Sequence, residues 1–125
     1  MDAHPQAAVL YNTLAAIEER RGEIRVAAQI AERGLREDSA LPQLHKNLGD
    51  CLYHASRLDE ALEAYQRAIK LNPALGDDVY VKLGNIRYKW QDTEQAIAYW
   101  ERALALNPDN DVVRTNIDLV RTLPR

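Results

Sequence analysis

An all-α protein built from repeated helix pairs is what this 125-residue sequence predicts. One observation is self-similarity. Leu48-Gly49 recurs as Leu83-Gly84, Ala61 as Ala96, Tyr65 as Trp100, Ala68 as Ala103 and Asn72-Pro73 as Asn107-Pro108, each 35 residues on, the mark of a repeat architecture. The other is periodicity inside the unit from Pro42 to Pro73. Leu44, Leu48 and Leu52 fall at helical spacing before Ala55-Ser56-Arg57, and Leu58, Ala61, Leu62, Tyr65, Ala68 and Ile69 do so after it. A three-residue break allows only a tight turn, so the two stripes belong to antiparallel helices.

Small residues set how closely those helices approach. Gly49 has no side chain and Ala61 and Ala68 have almost none, so the backbones can meet there while Leu48, Leu52 and Tyr65 fill the surrounding space. A mid-helix glycine costs about 1 kcal/mol relative to alanine. Two of them at equivalent positions imply that close packing offsets the loss.

Leu48-Gly49, Ala61, Tyr65 and Pro73 together resemble the tetratricopeptide repeat (TPR), whose signature runs W-x-x-L-G-x-x-Y, A-x-x-x-F, then P over about 34 residues. The third unit matches at Tyr80, Leu83, Gly84, Ala96, Trp100 and Pro108. It departs, with the second, at His45 and Tyr80 for the leading tryptophan and at Leu52 and Arg87 for the tyrosine. The resemblance implies a right-handed superhelix, an α-solenoid of three helix-turn-helix TPR units with a seventh, capping helix, forming a single domain over residues 1–125.

Taken in order, Asp2 to Pro5 read as a loose end, followed by a helix from about Gln6 to Arg21 that Gly22 breaks, and a second from about Glu23 or Ile24 to Glu37. This is a first, divergent repeat over about 7–40. Ala15 stands for Gly49, Ala31 for Tyr65 and Gly34 for Ala68, as expected of a terminal repeat. Repeat 2 spans about 41–75, with Pro42 in its first turn and Asp59-Glu60 at the positive end of its second helix. Repeat 3 spans about 76–110; Asp77 is the expected N-cap of a helix from Asp78 to about Lys89, and its partner runs from about Thr93 to Leu106. The capping helix, about 111–122, shows one apolar stripe of Val113, Ile117 and Val120, as a helix that packs on one side requires.

Composition excludes several function classes. The net charge of −3 comes from mixed signs in every segment, so no basic stripe for nucleic acid is expected. No apolar run is long enough for a membrane, and the first residues lack the cationic and apolar regions of a signal peptide, so cytoplasmic residence is the expectation. The single cysteine, Cys51, agrees with a reducing compartment and reads as a packing residue.

Nor does any catalytic constellation appear. His45 and His54 lie nine residues apart on one helix, about 180° around it, so they cannot share a metal, and His4 lies in the loose end. No phosphate-binding glycine loop, zinc-binding pair of histidines or nucleophile elbow occurs. Glu60 and Glu63 read as solvated partners of arginines such as Arg67. The expectation is a non-enzymatic protein without cofactor or metal.

Function then rests on shape, since stacked helix pairs curve into an extended concave surface. The resemblance implies that the first helix of each repeat lines that groove. The outward face in repeat 2 carries Lys46, Asn47, Asp50, Tyr53 and His54, and repeat 3 carries Asp78, Lys82, Asn85 and Tyr88, with Asn12 in repeat 1. Tyrosines beside amides and lysines suit an extended peptide, offering aromatic area and donors for its backbone. The candidate peptide-binding residues are therefore Asn12, Lys46, Asn47, Asp50, Tyr53, Lys82, Asn85 and Tyr88, for a protein or peptide partner.

Some members of the family hold the acidic C-terminus of heat-shock chaperones in a carboxylate clamp of two lysines, two asparagines and an arginine. Here Asn47 matches one clamp asparagine. Asn12 and Ala16 stand where the first-repeat lysine and asparagine belong, and Asp78 and Lys82 where the third-repeat lysine and arginine belong, so the clamp is not expected. Two alternative readings stay open. One is self-assembly, as a weak homo-oligomer rather than a monomer, through the N-terminal helix, whose Val9, Leu10 and Ile17 would leave an apolar edge. The other is an accessory module of a larger signalling or transferase enzyme.

Overall fold

A computed structural model describes the backbone of residues 5–123 and the side chains of residues 7–123; the expected loose end before Pro5, with His4, lies outside the described residues. Seven helices follow one another: α1 (Pro5–Arg20), α2 (Ile24–Glu37), α3 (Pro42–His54), α4 (Leu58–Leu71), α5 (Asp77–Lys89), α6 (Thr93–Leu106) and α7 (Asp111–Thr122). There is no strand among the described residues. α1 pairs with α2, α3 with α4 and α5 with α6, while α3 also packs on α2 and α7 on α6. The chain divides into two compact units at Leu75, α1 to α4 and α5 to α7, and each is described separately.

Every turn inside a helix pair is made the same way. Gly22, Ser56 and Gln91 take left-handed φ values of 82°, 61° and 64°. The next residue donates back to a carbonyl five residues earlier, Glu23 to Glu18, Arg57 to Leu52 and Asp92 to Arg87. This is the Schellman closure, which satisfies helix-terminal carbonyls by reversing the chain. Each pair ends on a second recurring device. The side chains of Asp38, Asn72 and Asn107 accept from the backbone N–H two residues on, so a short polar side chain replaces the missing helical bond.

The glycines act as their spacing predicts. A Cβ on Gly49 would lie 2.7 Å from the Tyr65 ring, and one on Gly84 would lie 2.3 Å from Trp100 Cδ1. Gly34 on α2 allows a similar approach to α1 and α3, where a Cβ would meet Leu44 at 2.8 Å and Tyr11 Cβ at 2.9 Å. There Ala8, Ala15, Ala31 and Leu44 form a fully buried cluster joining α1, α2 and α3, with Tyr11, Ile30 and Leu48 packed on it. In the second unit Val79, Tyr80, Leu83, Ile86, Ala96, Trp100 and Ala103 are buried, and Val113 and Ile117 on α7 join them, with Val120 half-buried.

One expected cap is corrected. Asp77 is the first residue of α5 rather than its N-cap, a place taken by Gly76 in an extended conformation with φ 170°. The Asp77 carboxylate is used across the repeat instead. It accepts from the side-chain amides of Asn107 and Asn110 at 3.2 Å each, fastening the α6–α7 connection. Asn110 in turn caps α7 by accepting from Val113 N–H, and Asp92 caps α6 by accepting from Gln95 N–H.

Candidate functional site

The candidate residues lie on the first helix of each pair, and the core decides how firmly each is held. In the first unit Asn47 on α3 donates through its side-chain amide to the backbone carbonyl of Asn12 at 3.3 Å and to the Asn12 side-chain oxygen. The two asparagines thus tie α1 to α3 while staying half-buried. Lys46 and Tyr53 are half-buried on the same helix, and the Tyr53 ring stands edge-on to His54, centroids 6.1 Å apart.

Asp50 differs from the outward placement expected of it. It is only 7 % exposed, and its carboxylate accepts a 2.5 Å hydrogen bond from the Tyr65 hydroxyl. The reason is positional: Asp50 directly follows Gly49, whose bare backbone lets the Tyr65 ring lie against α3 and carries the phenol to the next side chain. Burial pushes the Tyr65 hydroxyl far above its ordinary range, with the Asp50 charge and hydrogen bond and the Glu19 charge adding to it, so the phenol remains a donor. His45 is also buried, and its Nε2–H donates to the Ser39 carbonyl at 2.8 Å.

Cys51, next in sequence, is buried and its thiol is pushed up to about 12, chiefly by burial and then by the Glu19 and Asp50 carboxylates. A thiol so placed stays protonated and is a poor nucleophile. No group of three or more His, Cys, Asp or Glu side chains that could hold a metal occurs among the described residues.

The second unit repeats the pattern with other chemistry. Trp100 Nε1–H donates to the Asn85 side-chain oxygen at 3.2 Å and to the Val81 carbonyl at 3.3 Å. Asn85 therefore has a second role as the acceptor for the buried indole. Lys82 is half-buried and Tyr88 is 43 % exposed, its ring 5.8 Å from that of Trp100. Lys82, Asn85 and Tyr88 succeed each other at intervals of three, which puts them on one face of α5.

Tyr88 also borders an open crevice of about 820 Å³, where Ile97 on α6 and Val120, Arg121 and Leu123 around the end of α7 make the opposite walls. A second crevice of about 570 Å³ lies at the equivalent place in the first unit, between Ala28 and Gln29 on α2 and Leu52 and His54 on α3. Of these residues sequence reasoning selected Tyr88 and placed His54 on the same outward face, but it did not select the others. Their signal is the gap between two helices, and each side chain taken alone looks like any residue on an amphipathic surface.

Comparison with known proteins agrees with this geometry. The family model described as tetratricopeptide repeat matches residues 42–75 and 78–110. No curated protein matches significantly. Among solved structures, the first TPR domain of Spaghetti (RPAP3) bound to the HSP90 peptide SRMEEVD superposes with a TM-score of 0.88 at 21 % identity, covering 97 % of this chain and 95 % of that one. The first TPR domain of human RPAP3 gives 0.84 at 21 % over 94 % and 92 %. YrrB, described as a TPR protein with an unusual peptide-binding site, gives 0.83 at 20 % over 90 % and 58 %. At such identities the structures establish the fold. With two repeat units matched over more than half its length, and three helix pairs followed by a single helix in its structure, the chain belongs to the tetratricopeptide repeat family.

Proposed function

We propose that the chain is a non-enzymatic protein-interaction module that holds a peptide or an extended partner segment on the faces of its first helices. The carrying observation is the contrast between sealed side chains on α4 and α6 and partly exposed ones on α3 and α5. Tyr65 and Trp100 are sealed in the core and fix those helices, while Lys46, Asn47 and Tyr53 in the first unit and Lys82, Asn85 and Tyr88 in the second keep part of their surface in solvent. Preorganised aromatic and amide groups bind an extended chain at low entropic cost. The bound HSP90 peptide in Spaghetti and the peptide-binding site ascribed to YrrB support the same reading.

Within it, Tyr53 and Tyr88 supply contact area, Asn12, Asn47 and Asn85 supply amide groups for a peptide backbone, and Lys46 and Lys82 receive a carboxylate or carbonyl. Asp50 acts by holding Tyr65 and through it the pitch of α3. No described helix is long and apolar enough to cross a membrane, and we place the module in the cytoplasm, where its lone thiol stays reduced.

The test is capture of a partner from the source cell followed by calorimetric titration of the captured segment. Tyr88→Ala is expected to weaken binding about tenfold, a loss of more than about 1 kcal/mol. Unchanged affinity in Tyr88→Ala and Tyr53→Ala together would remove the assignment.

A further inference from the structure

The outward face of α1 carries an apolar stripe that is not among the candidate peptide-binding residues. Val9, Leu10, Leu14 and Ile17 are 55 %, 57 %, 39 % and 44 % exposed. They fall within about 140° of one another around the helix at 100° per residue, and the opposite face, Ala8, Tyr11 and Ala15, packs into the first unit. Thr13 lies in the middle of the stripe. Its hydroxyl donates to the Val9 carbonyl at 3.2 Å, so that polar group is already satisfied within the helix and burying it strands no donor.

The repeat itself shows what such a stripe is for. Leu10, Leu14 and Ile17 correspond to Leu44, Leu48 and Cys51 in α3, and to Val79, Leu83 and Ile86 in α5. In α3 these positions are covered: Leu44 and Cys51 are at most 1 % exposed, Leu48 is half-buried, and Leu44 and Leu48 pack on the α1–α2 pair. In α5 all three are fully buried. Only in α1 does the same apolar triad face solvent.

We infer that α1 is a self-association surface, on which a second copy of this chain lays its own α1 antiparallel. Three features favour a second copy. From Pro5 to Ile17 the helix has no charged residue, so two copies of the stripe meet without repulsion. An antiparallel pairing sets Leu10 against the second copy's Ile17 and Leu14 against its smaller Thr13, a self-complementary match across a two-fold axis. It also keeps Arg20 and Arg21 of the two copies at opposite ends, where a parallel pair would stack them.

The area sets the strength. Four aliphatic side chains near half exposure make a patch on the order of 300 Å² per copy, within the range of functional patches on single chains. Two such patches fall short of the roughly 1,200 Å² at which stable interfaces begin, so the pair is weak and concentration-dependent.

Sedimentation equilibrium on the full chain between about 10 and 500 µM tests this. The weight-average mass rises with concentration toward twice that of one chain. Leu10→Glu with Leu14→Glu raises the dissociation constant at least tenfold and leaves the far-ultraviolet circular dichroism unchanged. Leu10→Lys with Leu14→Lys, also monomeric alone, regains the dimer mass when mixed with the glutamate variant. A monomer mass throughout the range overturns the inference, as does a dimer that persists in the glutamate variant. If the lysine and glutamate chains fail to pair, the antiparallel second copy is wrong even where the wild type self-associates.

Discussion

The second and third repeats solve one packing problem with different atoms, and the first repeat avoids it. In repeat 2 the ring of Tyr65 lies over Gly49 and its hydroxyl donates to Asp50. In repeat 3 the ring of Trp100 lies over Gly84 and its indole N–H donates to Asn85. In repeat 1 the three corresponding positions are Ala15, Ala16 and Ala31. Where no aromatic ring crosses the pair, neither a bare backbone nor an acceptor is needed, and all three positions revert together to the residue with the highest helix propensity. Glycine, acceptor and aromatic donor thus form one device, present or absent as a whole.

The strongest challenge to that view is to put a methyl group where the ring lies. Gly84→Ala would place Cβ 2.3 Å from Trp100, so despite better helix propensity it is expected to lower stability by about 2 kcal/mol in urea unfolding. Gly49→Ala, with its closest approach at 2.7 Å, should cost about half as much. Adding Tyr65→Ala to Gly49→Ala should cost less than Tyr65→Ala alone, because it recreates the first repeat; additive values in the double-mutant cycle would show that the residues act independently.

Removing the acceptor separates the repeats further. Asp50→Ala strands the Tyr65 hydroxyl in the core and is expected to cost about 2 kcal/mol, whereas Asp50→Asn, the acceptor that repeat 3 uses, should cost well under 1. Asn85→Ala should also be mild, since the Trp100 N–H retains the Val81 carbonyl. Equal losses for Asp50→Ala and Asn85→Ala would erase the distinction.

A third difference is chemical. Repeat 2 has Cys51 where repeat 3 has Ile86, both buried. With its thiol raised from 9.0 to about 12, Cys51 in the folded chain should react with iodoacetamide at pH 8 at least about 100-fold more slowly than in the unfolded chain. The sign follows from the upward shift: the protonated thiol contributes stability fully below pH 9, and that contribution is lost as the pH rises toward 12. Wild-type stability should therefore fall more between pH 8 and 10.5 than that of Cys51→Ala, and the same pH dependence in both would contradict the shift.

The smallest effects lie in the turns. Ser56 and Gln91 hold the left-handed conformation that Gly22 adopts freely. Ser56→Gly and Gln91→Gly should each stabilise by about 0.5 kcal/mol, and Gly22→Ala should destabilise by about 1, read as shifts in the urea midpoint.

Much of this architecture is legible in the sequence. The 35-residue recurrence and the two stripes around Ala55-Ser56-Arg57 gave helices α3 and α4 with their ends, because helical periodicity and turn length are local properties of the chain. The glycines announced close packing, because a costly residue in a helix interior needs a reason. The site was less legible. Lys46, Asn47, Lys82 and Tyr88 lie half-open or open as a helical wheel suggests, but Asp50 and Asn85 serve the core as acceptors, and Asp77 ties down a later loop instead of capping its own helix. A polar side chain looks the same in sequence whether its partner is water or a buried phenol.

By itself, then, the sequence determined the number of helices, their order, the turns between them and the positions at which their backbones touch, all of which follow from spacing along one chain. Tertiary structure alone decided which polar residues face solvent and which are consumed as partners, and which copy of the Leu10-Leu14-Ile17 triad stays uncovered. The physical reason is range: periodicity is written over a few residues, whereas a hydrogen bond such as that from Tyr65 to Asp50, or the covering of one helix by another, depends on where a distant segment comes to rest.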